Sequence, residues 1–136
     1  LAAASATFFV NTAHVFRTSK FRKLAQIKYP TTYATDELAA KDTNAYRFNC
    51  AQRAHANYTE NLTTLLGSML ITGLNYPVFA ASLGAAWATG RLAYLYGYTS
   101  DKGPAGRTPG AVVASLSLFT LQIAAAVTSY KFIFSQ

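Results

Sequence analysis

The residues that could do chemistry in this chain are a few arginines, one glutamate and several phenols, set into otherwise apolar stretches. The segment FNCAQRAHANYTE, residues 48–60, holds most of them. At about 100° per helical residue, Arg53, Asn57 and Glu60 fall within roughly 60° of one another, a single stripe. His55 falls on the opposite side. By the same spacing Arg91, Tyr94 and Tyr98 share a face, and Arg107 follows just beyond. A cation-rich cleft with one carboxylate and several phenols suits a small ligand carrying carboxylates and an amine. Guanidinium groups grip carboxylates through paired hydrogen bonds, and a carboxylate receives the ammonium. Glu60 would take the amine while Arg53 and Arg91 take carboxylates. The competing arrangement is an internal Arg53–Glu60 ion pair that merely stabilises the helices. The surplus of arginine over acid favours a ligand.

The elements that must hold these groups are long and apolar. The chain has 136 residues, 51% of them apolar and 12% charged, with a mean hydropathy of +0.16. Such a composition excludes a disordered chain and a coiled coil, and one cysteine, Cys50, excludes a disulfide framework. Between Glu60 and Arg91 lie 30 consecutive uncharged positions, and from Thr108 to Tyr130 there are 23 more. A bilayer span needs about 20 such residues. The longer run exceeds one span and is broken at Asn75-Tyr76-Pro77, a turn signal. Its polar residues are Ser, Thr, Asn and Gly, which suit close helix packing in lipid. The pattern predicts helices over about 1–25, 44–74, 78–99 and 109–134, an all-α integral membrane four-helix bundle in one domain. Leu1–Phe16 is uncharged but short for a span, and a chain opening on Leu is expected to have lost residues upstream.

The net charge of +7 is unevenly spread. Seven of the twelve basic residues lie from Arg17 to Arg47, where three acids leave that segment at +4. This loop and the one before Arg107 belong on the cytosolic or equivalent side, with the Arg17–Lys28 cluster at lipid headgroups. No soluble basic face remains for nucleic acid. Cys50 reads as a packing cysteine. His14 has no partner at metal-ligand spacing, and the two Asn-x-Thr patterns at Asn57 and Asn61 sit inside a predicted span.

Three segments in order, KYPTTYATD, FNCAQRAHANYTENL and LGAAWATGRLAYLYGY, resemble the MAPEG family (membrane-associated proteins in eicosanoid and glutathione metabolism), nearest its microsomal glutathione transferase type 3 branch. The resemblance runs from about Arg22 to Arg107. It implies a left-handed four-helix membrane bundle assembled as a homotrimer, with glutathione as co-substrate bound between subunits. By matching positions Arg53, Asn57 and Glu60 would line that site, with Arg91, Tyr94 and Tyr98 opposite. His55 and Arg22 would reach the same glutathione from the adjacent subunit. Arg107 matches the catalytic arginine that faces the glutathione sulfur, and Lys23 a second basic residue whose role here is a headgroup anchor. Asn61 departs from the leukotriene-C synthase branch, which has Tyr there. The implied function is a membrane-bound glutathione transferase or lipid peroxidase acting on lipophilic substrates from the bilayer, in the endoplasmic reticulum or an organelle membrane. The alternative is a non-catalytic structural or lipid-binding subunit of a larger membrane complex.

Overall fold

Helix boundaries in the computed structural model, which describes residues 1–134, follow local capping chemistry. Helix α1 (Ala2–Leu24) stops where Ile27 N–H donates to the Arg22 carbonyl and Gln26 N–H to that of Lys23, both at 3.1 Å. Gln26 takes the left-handed φ of 53° that such a stop requires. Helix α2 (Asp36–Lys41) is capped by the Thr35 hydroxyl, which accepts from Leu38 N–H at 3.3 Å. Asp36 and Glu37 in its first turn and Lys41 in its last complement the helix dipole. This short helix occupies a connection for which the hydropathy pattern predicts no helix. Asp42 caps α3 (Thr43–Gly73), accepting from Asn44 N–H at 2.8 Å. Pro77 opens α4 (Pro77–Tyr98) at a position where its missing N–H costs nothing. A 3₁₀ turn at Gly103–Ala105 leads into α5 (Thr108–Phe134).

Helix α3 is the central element, packed against α1, α4, α5 and α2. Tyr58, Leu65, Trp87 and Leu121 are completely buried where α3, α4 and α5 meet. The Tyr58 hydroxyl donates to the Thr7 carbonyl, and its ring lies 4.8 Å from that of His14, so α1 is tied to the same core. The contact between α4 and α5 is backbone on backbone. A Cβ placed on Gly110 would sit 2.3 Å from the Tyr94 nitrogen and 2.5 Å from the Gly90 oxygen. Small residues let helices approach this closely, and van der Waals contact holds them in lipid.

The outer surface is apolar. Phe9 and Phe16 on α1, Val78 on α4 and Phe119 on α5 all stand exposed. Among the described residues one helix, within Gly103–Phe134, is long and apolar enough to cross a membrane by composition alone, with a mean hydropathy of 1.9. Helices α1, α3 and α4 carry the buried or stripe-forming ionisable residues His14, Arg22, Arg53, Glu60 and Arg91. With 31 residues α3 is about 46 Å long, well beyond the roughly 30 Å hydrocarbon layer. Counting about 20 residues from its Gly73 end puts Arg53 at the layer's edge. The first turns of α3 therefore project into the headgroup and water region.

Candidate functional site

The polar stripe of α3 faces outward beside α4. Arg53 Nη1 donates to Glu60 Oε1 at 3.0 Å, and Asn57 Nδ2 lies 3.5 Å from Glu60 Oε2. Both members of the ion pair are about half exposed, at 49% and 52% of their side chains. The pair is thus on the surface of the protomer, not inside it. From α4, Arg91 Nη1 donates to Asn57 Oδ1 at 2.6 Å, which links the two helices. The heights agree: about 20 Å of helix separates Glu60 from the end of α3 and Arg91 from the start of α4.

Arg91 is only 4% exposed and packs against the rings of Trp87 and Tyr94, at 5.0 and 5.6 Å. Its Nε has no hydrogen-bond partner in the protein. Further along the same face, Arg107 Nη1 donates to the Tyr94 hydroxyl at 3.1 Å, and its guanidinium lies 4.6 Å above the Tyr98 ring. Tyr94 and Tyr98 meet edge to face at 5.7 Å. Seven of the sequence-predicted residues thus form one continuous patch, with three guanidinium groups against one carboxylate. The two ion pairs among the described residues are Arg53–Glu60 and Arg47–Asp101, so neither Arg91 nor Arg107 has an anionic partner.

The other predicted residues lie elsewhere on the protomer. His55 Nε2 is 3.0 Å from Asn11 Oδ1 of α1, and its ring stacks on His14 at 5.7 Å. The second polar face of α3 is therefore matched by α1 of the same chain. Arg22 is buried, donates to the Thr31 carbonyl at 2.8 Å and is sandwiched between the rings of Tyr29 and Phe48. Lys23 is exposed beside it. No hydrogen bond within the protomer joins Arg22, Lys23 or His55 to the patch. Asn61 turns its side chain back, its Nδ2 donating to the Asn57 carbonyl at 2.7 Å.

Several supporting residues escape the sequence reading. Arg47 pairs with Asp101, and Tyr46 lies against Gly103, so the start of α3 grips the turn that carries Arg107. Arg17 Nε donates to Thr99 Oγ1 at 2.8 Å and its guanidinium lies over the Tyr96 ring, fixing α1 to the end of α4. Asn49 clamps Ala34 through both amide atoms, at 2.8 and 3.0 Å. The charges of Arg17 and Arg47 were visible, but only as members of a basic loop.

The MAPEG family model matches residues 1–127, which extends the likeness over all of α1 and most of α5. That family consists of membrane helical bundles and includes glutathione transferases and peroxidases as well as eicosanoid synthases. A match over that length, on an all-helical bundle with an apolar outer surface, means that the chain belongs to the MAPEG family.

Proposed function

We propose that this protein is a membrane-bound glutathione transferase and lipid peroxidase, nearest in kind to the type 3 microsomal branch. The observation that carries this reading is that buried Arg91 and the half-buried Arg107 beside Tyr94 make no ion pair. An uncompensated cation away from water is costly, and an anionic ligand removes that cost. Glutathione supplies two carboxylates, an ammonium and a thiol. Its carboxylates go to Arg53 and Arg91. Its ammonium goes to Glu60, on the Oε2 side where Asn57 makes only a long contact.

The thiol then lies towards Arg107. A free thiol has a pKa of about 8.5, and only the thiolate is an effective nucleophile. The Arg107 guanidinium stays charged, has no proton to return and stabilises the sulfur anion. In transfer, the thiolate forms a carbon–sulfur bond with a lipophilic electrophile, whose leaving atom takes up a proton. In peroxide reduction, the thiolate attacks one oxygen of a lipid hydroperoxide and breaks the O–O bond. The lipid leaves as its alcohol after protonation, and a second glutathione converts the sulfenic acid to the disulfide and water.

The open position of Arg53 and Glu60 supports closure of the site by a second copy of the chain, as in a homotrimer. Arg22 and His55 would then contribute from the neighbour. The competing reading, a non-catalytic subunit of a larger complex, would use the Arg53–Glu60 pair as a packing contact alone. Transferase and peroxidase assays on the reconstituted full chain, with Arg107→Ala as comparison, separate the two. Removing one preorganised group at a developing anion costs on the order of 100-fold in rate. We expect that loss together with retained glutathione binding. Equal, background-level activity of both proteins would overturn the reading.

A further inference from the structure

A second feature lies at the basic end of α1. The chain leaves the helix at Gln26 and doubles back, which opens a cleft of about 910 Å³. Lys20, Lys23 and Lys28 line it and are exposed. Phe16, Ile27 and Tyr29 supply apolar wall. Arg22 is also there, its Nη1 donating to the Thr31 carbonyl and its guanidinium packed against two rings, so it forms part of the wall while the three lysines supply the exposed cations. None of the three lysines pairs with an acid among the described residues.

The apolar side of the cleft does not stop at its edge. Phe16 and Phe9 are seven residues apart, share a face of α1, and are exposed at 70% and 76%. They carry the apolar wall from the headgroup level into the depth of the bilayer. Three unpaired ammonium groups above such a wall match one ligand chemistry, an anionic phosphate bearing a hydrocarbon chain. We propose that this cleft binds an acidic phospholipid of the surrounding membrane, with its phosphate among Lys20, Lys23 and Lys28 and an acyl chain along Phe16 and Phe9.

The bound lipid also steadies the loop behind it. That loop is tied to α3 by Asn49 at Ala34 and by Gln52, whose Nε2 donates to the Thr32 carbonyl at 2.6 Å. Gln52 is the neighbour of Arg53. The cleft shares Arg22 with the glutathione reading, in which Arg22 reaches a neighbouring copy. Its three lysines touch none of the patch on α3 and α4 within the protomer, and lipid retention is measured without glutathione.

The test is native mass spectrometry of the purified full chain equilibrated with mixed phosphatidylglycerol and phosphatidylcholine. We expect one phosphatidylglycerol retained per chain in preference to phosphatidylcholine. A lysine near an anionic headgroup changes affinity by about fivefold, so K20Q/K23Q/K28Q should lose roughly 100-fold. K41Q/K102Q/K131Q removes as much charge elsewhere and should keep the preference. Equal losses in the two triple variants would overturn the proposal, since they would mark general attraction to the membrane. Glycerol 3-phosphate or oleate displacing the lipid at equal concentration would overturn it too, assigning the cleft to a free phosphate or a fatty carboxylate.

Discussion

Arg91 is held by one neutral side chain and two aromatic rings, and the one acid of the helix pair, Glu60, is paired with Arg53 instead. Its retention is costly in the free protein and favourable only with an anion present. Replacing it with methionine removes a desolvation cost of several kcal/mol. The change leaves half-buried Asn57 Oδ1 without its donor, which costs about 1–3 kcal/mol. We therefore expect ligand-free Arg91→Met to melt at or above the wild-type temperature, while millimolar glutathione no longer raises that temperature. A variant that melts several degrees lower without ligand would mean that Arg91 is structural. At this scale the sequence was informative about Arg53, Asn57 and Glu60, because helical periodicity alone aligns them. It was silent on the Arg91–Asn57 bond, which joins two helices at a height that spacing within one helix does not encode.

Among the elements, α4 and α5 are set by glycine. A Cβ on Gly110 meets the Tyr94 nitrogen and the Gly90 oxygen, both backbone, so neither can turn aside. Gly110→Ala must push the helices apart, at a cost of about 1–3 kcal/mol for such overpacking. Arg107 lies one turn before Gly110, and its partner Tyr94 is the residue the new methyl would strike. The variant should therefore lose activity beyond its loss of stability, with Arg107 itself intact, as seen by comparing melting temperature and rate at low temperature. Unchanged activity would separate the α4–α5 contact from the placement of Arg107. Pro77 and the Asn75-Tyr76 turn made the α3–α4 hairpin legible in the sequence. Helix α2 was not, since six residues show no hydrophobic period and its one clear signal is the Thr35 cap. The closeness of α4 and α5 was equally hidden, because a glycine reads the same whether it faces lipid or a neighbouring backbone.

For the whole molecule, the decisive property is that one chain does not bring all the matched residues together. Arg22, on α1, packs against the following loop and α3, and His55 faces α1, while Arg53 and Glu60 lie open beside α4. If the site is built from two copies, inactive Arg22→Ala and Arg53→Ala chains should complement when assembled together. Random mixing then restores roughly a quarter of the sites, since each interface needs the intact residue from both sides. Mixed assemblies with no more activity than the parents would confine the site to one chain.

The uncharged turn between α3 and α4 has a consequence for how the protein enters a membrane. With no charged residue from Asn61 to Gly90, the far end of the hairpin can be carried across the hydrocarbon without moving a charge. Charged residues at the centre of a span raise the insertion free energy by about 2.5–3.5 kcal/mol each. A lysine side chain at that far end, Lys131, lies on α5 and meets the Tyr76 hydroxyl of the turn. It is synthesised after the hairpin is complete. Biogenesis would thus proceed by concerted translocation of α3 and α4, with Lys131 latching the product. A lysine at Asn75 should slow membrane integration during cell-free translation, whereas one at Asp101, on the opposite side, should not.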